Sequence, residues 1–141
     1  MRTLIRLNML AVLFFCLSSK SVISAGVTDV DVKWEFQHIA EDAMGNPSTI
    51  ISLVVNGKSY YIATEVGNYS ELGSENFKDN KIPKNALLAC TGWWAGAGAQ
   101  YWVIKKGNNL NVYIREISEG NPDHPGDYST KPKVFKTISI E

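Results

Sequence analysis

The side chains best suited to chemistry in this sequence are aromatic, and most of them lie in one glycine-rich segment. Residues 90–102 read CTGWWAGAGAQYW and hold three of the four tryptophans together with three glycines. Aromatic rings offer a large contact area at a low cost in conformational entropy, as binding surfaces require. Glycine and alanine between them let a backbone or a ligand approach closely. We predict a recognition segment whose contact residues are Trp93, Trp94, Gly98, Gln100 and Tyr101.

A buried segment is the alternative that this composition allows. Trp93, Trp94 and Trp102 would then be core side chains, and the glycines would permit tight packing. Adjacent residues of a strand point to opposite faces of a sheet, so at least one of Trp93 and Trp94 could face solvent. The exposure of these two rings therefore separates a binding segment from a core segment.

Motifs for catalysis, metals and nucleotides are absent or incomplete in the sequence. Asp123, His124 and Asp127 form one cluster, but their spacing does not match a zinc or calcium site. The Gly96-Ala97-Gly98 run lacks the third glycine and the acidic partner of a dinucleotide site. No serine occupies a recognisable nucleophile turn. We predict no enzyme activity, no cofactor and no metal; two carboxylates facing each other across a cleft would indicate an enzyme instead.

The first 25 residues have the layout of a secretory signal. Two arginines precede a continuous apolar run at residues 9–17, and small, mostly polar residues follow up to Ala25. The apolar run is shorter than the roughly 20 residues that span a bilayer, so we predict no transmembrane segment. These features predict a cleaved signal peptide at 1–25, a single domain at 26–141, and a secreted or periplasmic location. The alternative is an N-terminal helix of the core.

The mature chain would be small and weakly acidic. Removing residues 1–25 from the 141-residue chain leaves 116 residues, enough for one domain with its own core. It keeps all 14 acidic residues and 11 of the 14 basic ones, which gives a net charge of −3. A negative surface argues against nucleic acid and anionic membranes as partners, and it suits a basic protein partner.

The same cleavage would leave a single cysteine. Cys16 would be removed with the signal, and Cys90 would then have no partner for an internal disulfide. Because the apolar residues 86–89 precede Cys90, we predict a buried thiol, with a disulfide between two chains as the alternative.

The remaining pattern is that of strands joined by tight turns. Asn56-Gly57 lies between two β-forming runs and is the strongest short hairpin signal, because both turn residues need positive φ. Residues 110–117 alternate, which predicts one buried face and one wet face that carries Arg115. We predict strands at 32–40, 49–55, 58–66, 100–106, 110–117 and 134–140, loops at 67–83 and 118–132, and a helical turn at 84–88. The fold class is mainly β: a small antiparallel β-barrel or sandwich with one short helical turn.

Residues 97–101, Ala-Gly-Ala-Gln-Tyr, resemble the Ser-Gly-x-x-Tyr motif of the periplasmic and membrane-bound lysozyme inhibitors. Members of that family are small exported β-barrels whose motif enters the lysozyme cleft and contacts the catalytic carboxylates. The resemblance implies a protein inhibitor in which Gly98 and Tyr101 reach the target enzyme. Ala97 stands where the family has its serine, so that hydroxyl contact is missing, and Cys90 alone cannot form the disulfide common in one branch of the family. The chain also resembles exported bacterial proteins to which no activity is attached.

Three classes of function without catalysis fit these features. The first is an exported binding module, in its sharpest form a protein inhibitor whose partner is a lysozyme or another hydrolase, with an immunity protein against a toxin as a related form. The second is a carbohydrate- or small-ligand-binding β-domain, in which exposed tryptophans stack on sugar rings. The third is an envelope protein without a compact site. An exposed Trp93 in a shallow groove would favour the second class, and a protruding loop would favour the first.

Overall fold

The computed structural model describes residues 29–41, 43–121 and 124–140, without the side chains of residues 121 and 124–128. The predicted signal peptide therefore lies outside the described residues. Nine strands and one short 3₁₀ turn at Ser74–Asn76 form within the described chain. The strands are β1 Val32–Ile39, β2 Ser48–Val55, β3 Lys58–Val66, β4 Asn68–Leu72, β5 Leu88–Trp94, β6 Ala97–Lys106, β7 Asn109–Asn121, β8 His124–Ser129 and β9 Lys133–Ser139.

These strands form two antiparallel sheets. The smaller sheet has the order β1-β2-β3, and the larger has the order β4-β5-β6-β7-β8, with β9 also paired to β7. β9 pairs with the first half of β7 and β8 with its second half, so both lie along the side of β7 that faces away from β6. Within the described residues, no strand pairing closes the two sheets into a barrel. The predicted mainly β fold is confirmed, and it takes the form of a sandwich.

The hairpin predicted at Asn56-Gly57 is present, and a second hairpin joins the strands predicted at 100–106 and 110–117. Asn56 and Gly57 have positive φ values of 49° and 80°, and they join β2 to β3. The turn after Lys106 joins β6 to β7, and Gly107 there has a φ of 58°. Both turns need residues with a left-handed backbone, and asparagine and glycine, which tolerate that conformation, mark such turns in the sequence.

Three local predictions are wrong. Residues 67–83 are not one loop, because β4 and the 3₁₀ turn form inside that range. Residues 118–132 contain the end of β7 and all of β8. The helical turn predicted at 84–88 is a single β-turn, closed by the bond from the amide of Ala86 to the carbonyl of Pro83 at 2.9 Å, and β5 already begins at Leu88. Three strands were missed. β4 and β8 lie at the edges of the larger sheet, where polar residues are tolerated because one side of the strand has no neighbour. β5 lies between β4 and β6, in the segment that was predicted for recognition and not as a strand.

The larger sheet is covered on both of its faces. Along β6, Tyr101 and Val103 point into the core between the sheets, whereas Trp102 points to the outer face. Residues 73–87 lie over part of that outer face and pack Phe77 against it. β6 is therefore buried on both sides, and neighbouring side chains on the outer face are also shielded from solvent.

Two predictions about single residues have opposite outcomes. Cys90 is fully buried, at 0% exposure, as predicted, and burial raises the pKa of its thiol. Arg115 is only 7% exposed, so the prediction that it lies on a wet face is wrong. The alternation of β7 is correct, but residues 73–87 cover the face on which Arg115 lies.

Candidate functional site

The predicted recognition segment folds as a tight hairpin. β5 ends at Trp94, β6 begins at Ala97, and only Ala95 and Gly96 connect them. Both connecting residues have positive φ, 48° and 86°, as a two-residue type I′ turn requires. Because the turn is so short, the segment presents the end of a sheet and not a protruding loop.

Trp93 and Trp94 are both partly exposed and lie on opposite faces of this hairpin. They are 40% and 37% exposed, whereas Trp102 is 1% exposed and belongs to the core. Trp93 lines a pocket on the outer face of the larger sheet, and Trp94 lines a groove on the face towards the smaller sheet. The prediction that adjacent tryptophans point to opposite faces is confirmed, and neither of these two is a buried core residue.

The outer pocket, which Trp93 lines, has a volume of about 230 Å³. It combines one aromatic ring with groups that donate or accept hydrogen bonds. Among its other lining residues are Asp79, Asn80, Lys81, Gln100, Arg115 and Ser118. An apolar wall with a few placed polar groups is typical of sites for small ligands.

Arg115 holds a network of hydrogen bonds beside the outer pocket. Its Nε donates to Oε1 of Gln100 at 3.1 Å, and its Nη2 donates to the same oxygen. Nη2 also donates to the backbone carbonyl of Asn80, and Nη1 donates to that of Lys81 at 3.5 Å. Gln100 completes the network, because its Nε2 donates to Oδ1 of Asn80 at 3.1 Å. The network fastens residues 73–87 to the outer face of the sheet.

The guanidinium of Arg115 also lies over an aromatic ring. Its central carbon is 5.7 Å from the ring centroid of Trp102, within the range of a cation–π contact. Burial lowers the pKa of this guanidinium, which nevertheless stays protonated at any ordinary pH. Sequence reasoning missed Arg115 as a site residue. The one available signal was an arginine in a strand that follows the tryptophan-rich segment.

The inner groove, which Trp94 lines, lies on the other side of the hairpin and has a volume of about 330 Å³. Trp94 and the 50% exposed Val66 give it apolar walls, and Glu65 and Glu116 line it as well. The indole Nε1 of Trp94 donates to Oδ1 of Asn46 at 3.2 Å, which fixes the orientation of the ring. The groove is thus an exposed apolar edge beside two acidic side chains.

Two of the predicted contact residues lie inside the protein. Tyr101 is 0% exposed, and its hydroxyl donates a hydrogen bond to Oε1 of Glu65. Burial, with the hydrogen bond and the charge of Glu65, raises the pKa of this hydroxyl. Gln100 is 4% exposed and bonded to Arg115. Their contact with a partner stays a prediction, and in this conformation Tyr101 offers no surface for it.

Gly98, the fifth predicted contact residue, lies where two strands approach closely. A Cβ at this position would be 1.9 Å from the carbonyl oxygen of Gly92. Gly92 in turn lies against the ring of Tyr69, and a Cβ there would come within 2.3 Å of that ring. Both glycines therefore permit tight packing, as the alternative interpretation of this segment suggested.

Metal-ligating clusters and membrane-spanning helices are absent from the described part of the chain. His38 Nδ1 lies 3.1 Å from Oγ1 of Thr49, so its ring has a partner within the protein. Across residues 29–41, 43–121 and 124–140, no three His, Cys, Asp or Glu side chains come together as a metal site needs. Asp123 and the side chains of His124 and Asp127 lie outside the described residues. In the described part of the chain, no helix has the length and apolar character needed to cross a bilayer.

Comparison with known proteins gives no match. No protein-family model, curated protein or solved structure matches this chain. The resemblance to lysozyme inhibitors therefore stays a prediction.

Proposed function

We propose that this protein is a binding module, and that its outer pocket binds carbohydrate against the ring of Trp93. The observation that carries the proposal is the 40% exposure of Trp93 beside a pocket of about 230 Å³. An aromatic face suits the apolar C–H face of a sugar ring, and nearby polar groups suit its hydroxyls. Asp79, Lys81 and Ser118 carry such groups around the pocket. The proposal involves no catalytic step.

The shape of the hairpin favours a ligand pocket over an inserting loop. An inhibitor that enters an enzyme cleft needs a segment that projects from its body, and here only Ala95 and Gly96 connect β5 to β6. In the lysozyme-inhibitor form of the hypothesis Tyr101 makes the contact, yet this side chain is in the core. We therefore place carbohydrate binding before protein inhibition.

A protein partner at the inner groove is the second candidate. Trp94 and Val66 line the same groove and are 37% and 50% exposed. Tryptophan is enriched at the energetic hot spots of protein interfaces, and exposed apolar side chains that lie together are typical of interaction surfaces. Because Glu65 and Glu116 also line the groove, the partner would carry a basic surface, as a lysozyme, another hydrolase or a toxin could. Export through the predicted signal at 1–25 would bring the protein to either kind of partner.

Separate substitutions of the two tryptophans distinguish these candidates. Isothermal titration with a panel of soluble oligosaccharides measures carbohydrate binding, and capture on the immobilised protein measures binding of partner proteins. We expect Trp93→Ala to weaken oligosaccharide binding at least about tenfold, or ~1.4 kcal/mol, because it removes the stacking surface. Trp94→Ala should leave that affinity unchanged. Tyr61→Ala is the matched control, because Tyr61 is also an exposed aromatic residue, at 56%, and lies on the smaller sheet.

The binding activities of the two variants identify which surface is the binding site. If Trp94→Ala abolishes capture of a protein while no oligosaccharide binds, the inner groove is the site and the second candidate replaces the first. If both variants fold and keep every binding activity of the original chain, neither surface is the site and the proposed function is wrong.

A further inference from the structure

The outer pocket contains a buried positive charge that pairs with no carboxylate among the described residues. Arg115 is 7% exposed, and its hydrogen-bond partners are an amide oxygen of Gln100 and the backbone carbonyls of Asn80 and Lys81. All of these acceptors are neutral. Burying an ion is unfavourable unless a counter-charge and good hydrogen bonds offset its loss of hydration. Among the described residues, the charge of Arg115 therefore lacks a direct counter-charge.

The hydrogen bonds of Arg115 also leave it with an unused donor. A guanidinium has five N–H donors, of which Nε carries one and each Nη carries two. Nε and Nη2 together make three bonds, to the side chain of Gln100 and the carbonyl of Asn80. Nη1 makes one bond, at 3.5 Å, to the carbonyl of Lys81. Within the described chain one Nη1 hydrogen has no acceptor, although the residue lines an open pocket.

We propose that the ligand of the outer pocket is an acidic sugar, whose carboxylate is bound by Arg115 while its ring packs against Trp93. This inference rests on the carbohydrate-binding function proposed above and specifies its ligand class. A carboxylate accepts strong, charge-assisted hydrogen bonds from arginine. The pocket, at about 230 Å³, is smaller than the sites of drug-sized molecules, which measure roughly 300–1,000 Å³, so it suits one sugar residue.

The other charged side chains of the pocket fit a ligand with a single negative charge. Lys81 and Asp79 both line it and carry opposite charges, so Arg115 supplies the excess positive charge. Lys81 has a φ of 53°, in the left-handed region, and its carbonyl is held by Arg115. Arg115 thus has a structural role as well, and a test of ligand binding has to separate the two roles.

A matched pair of sugars tests the proposal on the unmodified chain. D-glucuronate and D-glucose have the same sugar ring, but glucuronate carries a carboxylate where glucose has a hydroxymethyl group. Titration of ¹⁵N-labelled protein with each sugar, followed through the indole signal of Trp93 and the Nε–H signal of Arg115, yields both dissociation constants. We expect glucuronate to bind at least about tenfold more tightly than glucose, the ratio that one charge-assisted bond to a buried arginine supports.

Variants of Arg115 then assign the preference to this residue. Arg115→Gln should bind the two sugars equally, because the charge is gone, and Arg115→Lys should keep a reduced preference, because the charge remains without the planar fork. Lys33→Gln is the control, since it removes the same charge from an exposed position on β1 in the smaller sheet. If Arg115→Gln does not fold, the comparison of the two sugars on the unmodified chain and on Arg115→Lys still decides.

The outcomes separate this inference from the function on which it rests. Equal affinity of the unmodified chain for glucuronate and glucose would overturn the acidic-sugar inference while leaving carbohydrate binding intact. Binding of neither sugar, together with no binding of any oligosaccharide, would overturn both. A preference for glucuronate that persists in Arg115→Gln would place the carboxylate elsewhere and overturn the role given to Arg115.

Discussion

Arg115 and Gln100 lie directly opposite each other on β7 and β6, and their side chains are hydrogen-bonded although both residues are more than nine-tenths buried. The amide of Gln100 is used at both ends, because its oxygen accepts from Arg115 and its nitrogen donates to Asn80. One cross-strand pair therefore shapes the outer pocket and also fastens residues 73–87 over the sheet. The stability of the fold and the shape of the pocket are therefore coupled at this point.

We expect Gln100→Met to destabilise the protein by about 2–3 kcal/mol, since it leaves a buried charged donor and a side-chain oxygen of Asn80 without partners. Urea unfolding measures the loss in free energy. Hydrogen exchange should locate it, because the amide of Ile82, bonded to the carbonyl of Phe77 at 2.8 Å, lies in the fastened segment and should lose protection.

Gln37→Met is the control for that substitution, because Gln37 is an exposed residue on β1 and its replacement should change stability by less than about 0.5 kcal/mol. Equal stabilities of the two variants would show that the network around Arg115 contributes nothing to the fold.

The glycines of the recognition segment give a second prediction about stability. Gly98→Ala should cost about 3 kcal/mol or more, because its Cβ would overlap the carbonyl oxygen of Gly92 at 1.9 Å and force β5 and β6 apart. Gly107→Ala is the comparison. Nothing lies within 4 Å of a Cβ there, so only its positive φ of 58° opposes the change, at a cost of about 1 kcal/mol. Thermal unfolding of both variants measures the difference, and equal losses would contradict the close approach at Gly98.

The sequence predicted those features that depend on neighbouring residues. The turn at Asn56-Gly57, the separation of Trp93 from Trp94 to opposite faces, and the burial of Cys90 all follow from local pattern, and the structure confirms each. Features that depend on residues far apart in the sequence could not be predicted. No local pattern indicates which segment will cover a given face of a sheet.

Arg115 and Tyr101 show why burial around the candidate site could not be predicted from the sequence. Arg115 bonds to a carbonyl 35 residues away in the chain, and Tyr101 bonds to Glu65, which is 36 residues away. The alternation along a strand assigns each side chain to a face, but only the tertiary fold decides whether that face is covered. Tyr101 was therefore predicted at the surface and Arg115 in solvent, whereas both are buried.

Burial of Cys90 predicts a thiol that does not react in the native protein. Its residue is 0% exposed and burial raises its pKa, so the reactive thiolate is scarce and shielded. Alkylation under native conditions, with peptide mass spectrometry to report on Cys90 alone, should give no labelling until denaturant is added. Ser59→Cys, at an exposed position on β3, should label at once and serves as the positive control. A disulfide between two chains through Cys90 in the folded protein would contradict this prediction.

Alkaline pH should weaken the fold through the buried hydroxyls of Tyr69 and Tyr101. Burial is the largest cause that raises both pKa values, and the charge of Glu65 adds to it. A group whose pKa is raised on folding holds its proton more tightly in the folded state. Its stabilising contribution is therefore complete below the pKa of the unfolded chain, which is about 10 for tyrosine. The contribution is lost as the pH rises above that value. Urea unfolding between about pH 8 and pH 11 should show a falling free energy of unfolding, by up to ~1.4 kcal/mol per pH unit for each such group.

Tyr101→Phe should be less stable than the original chain at neutral pH, because it lacks the bond to Glu65, yet should lose stability less steeply above about pH 10. Tyr61→Phe, at an exposed site, should follow the original curve, and an unchanged slope in Tyr101→Phe would show that Tyr101 does not titrate with unfolding.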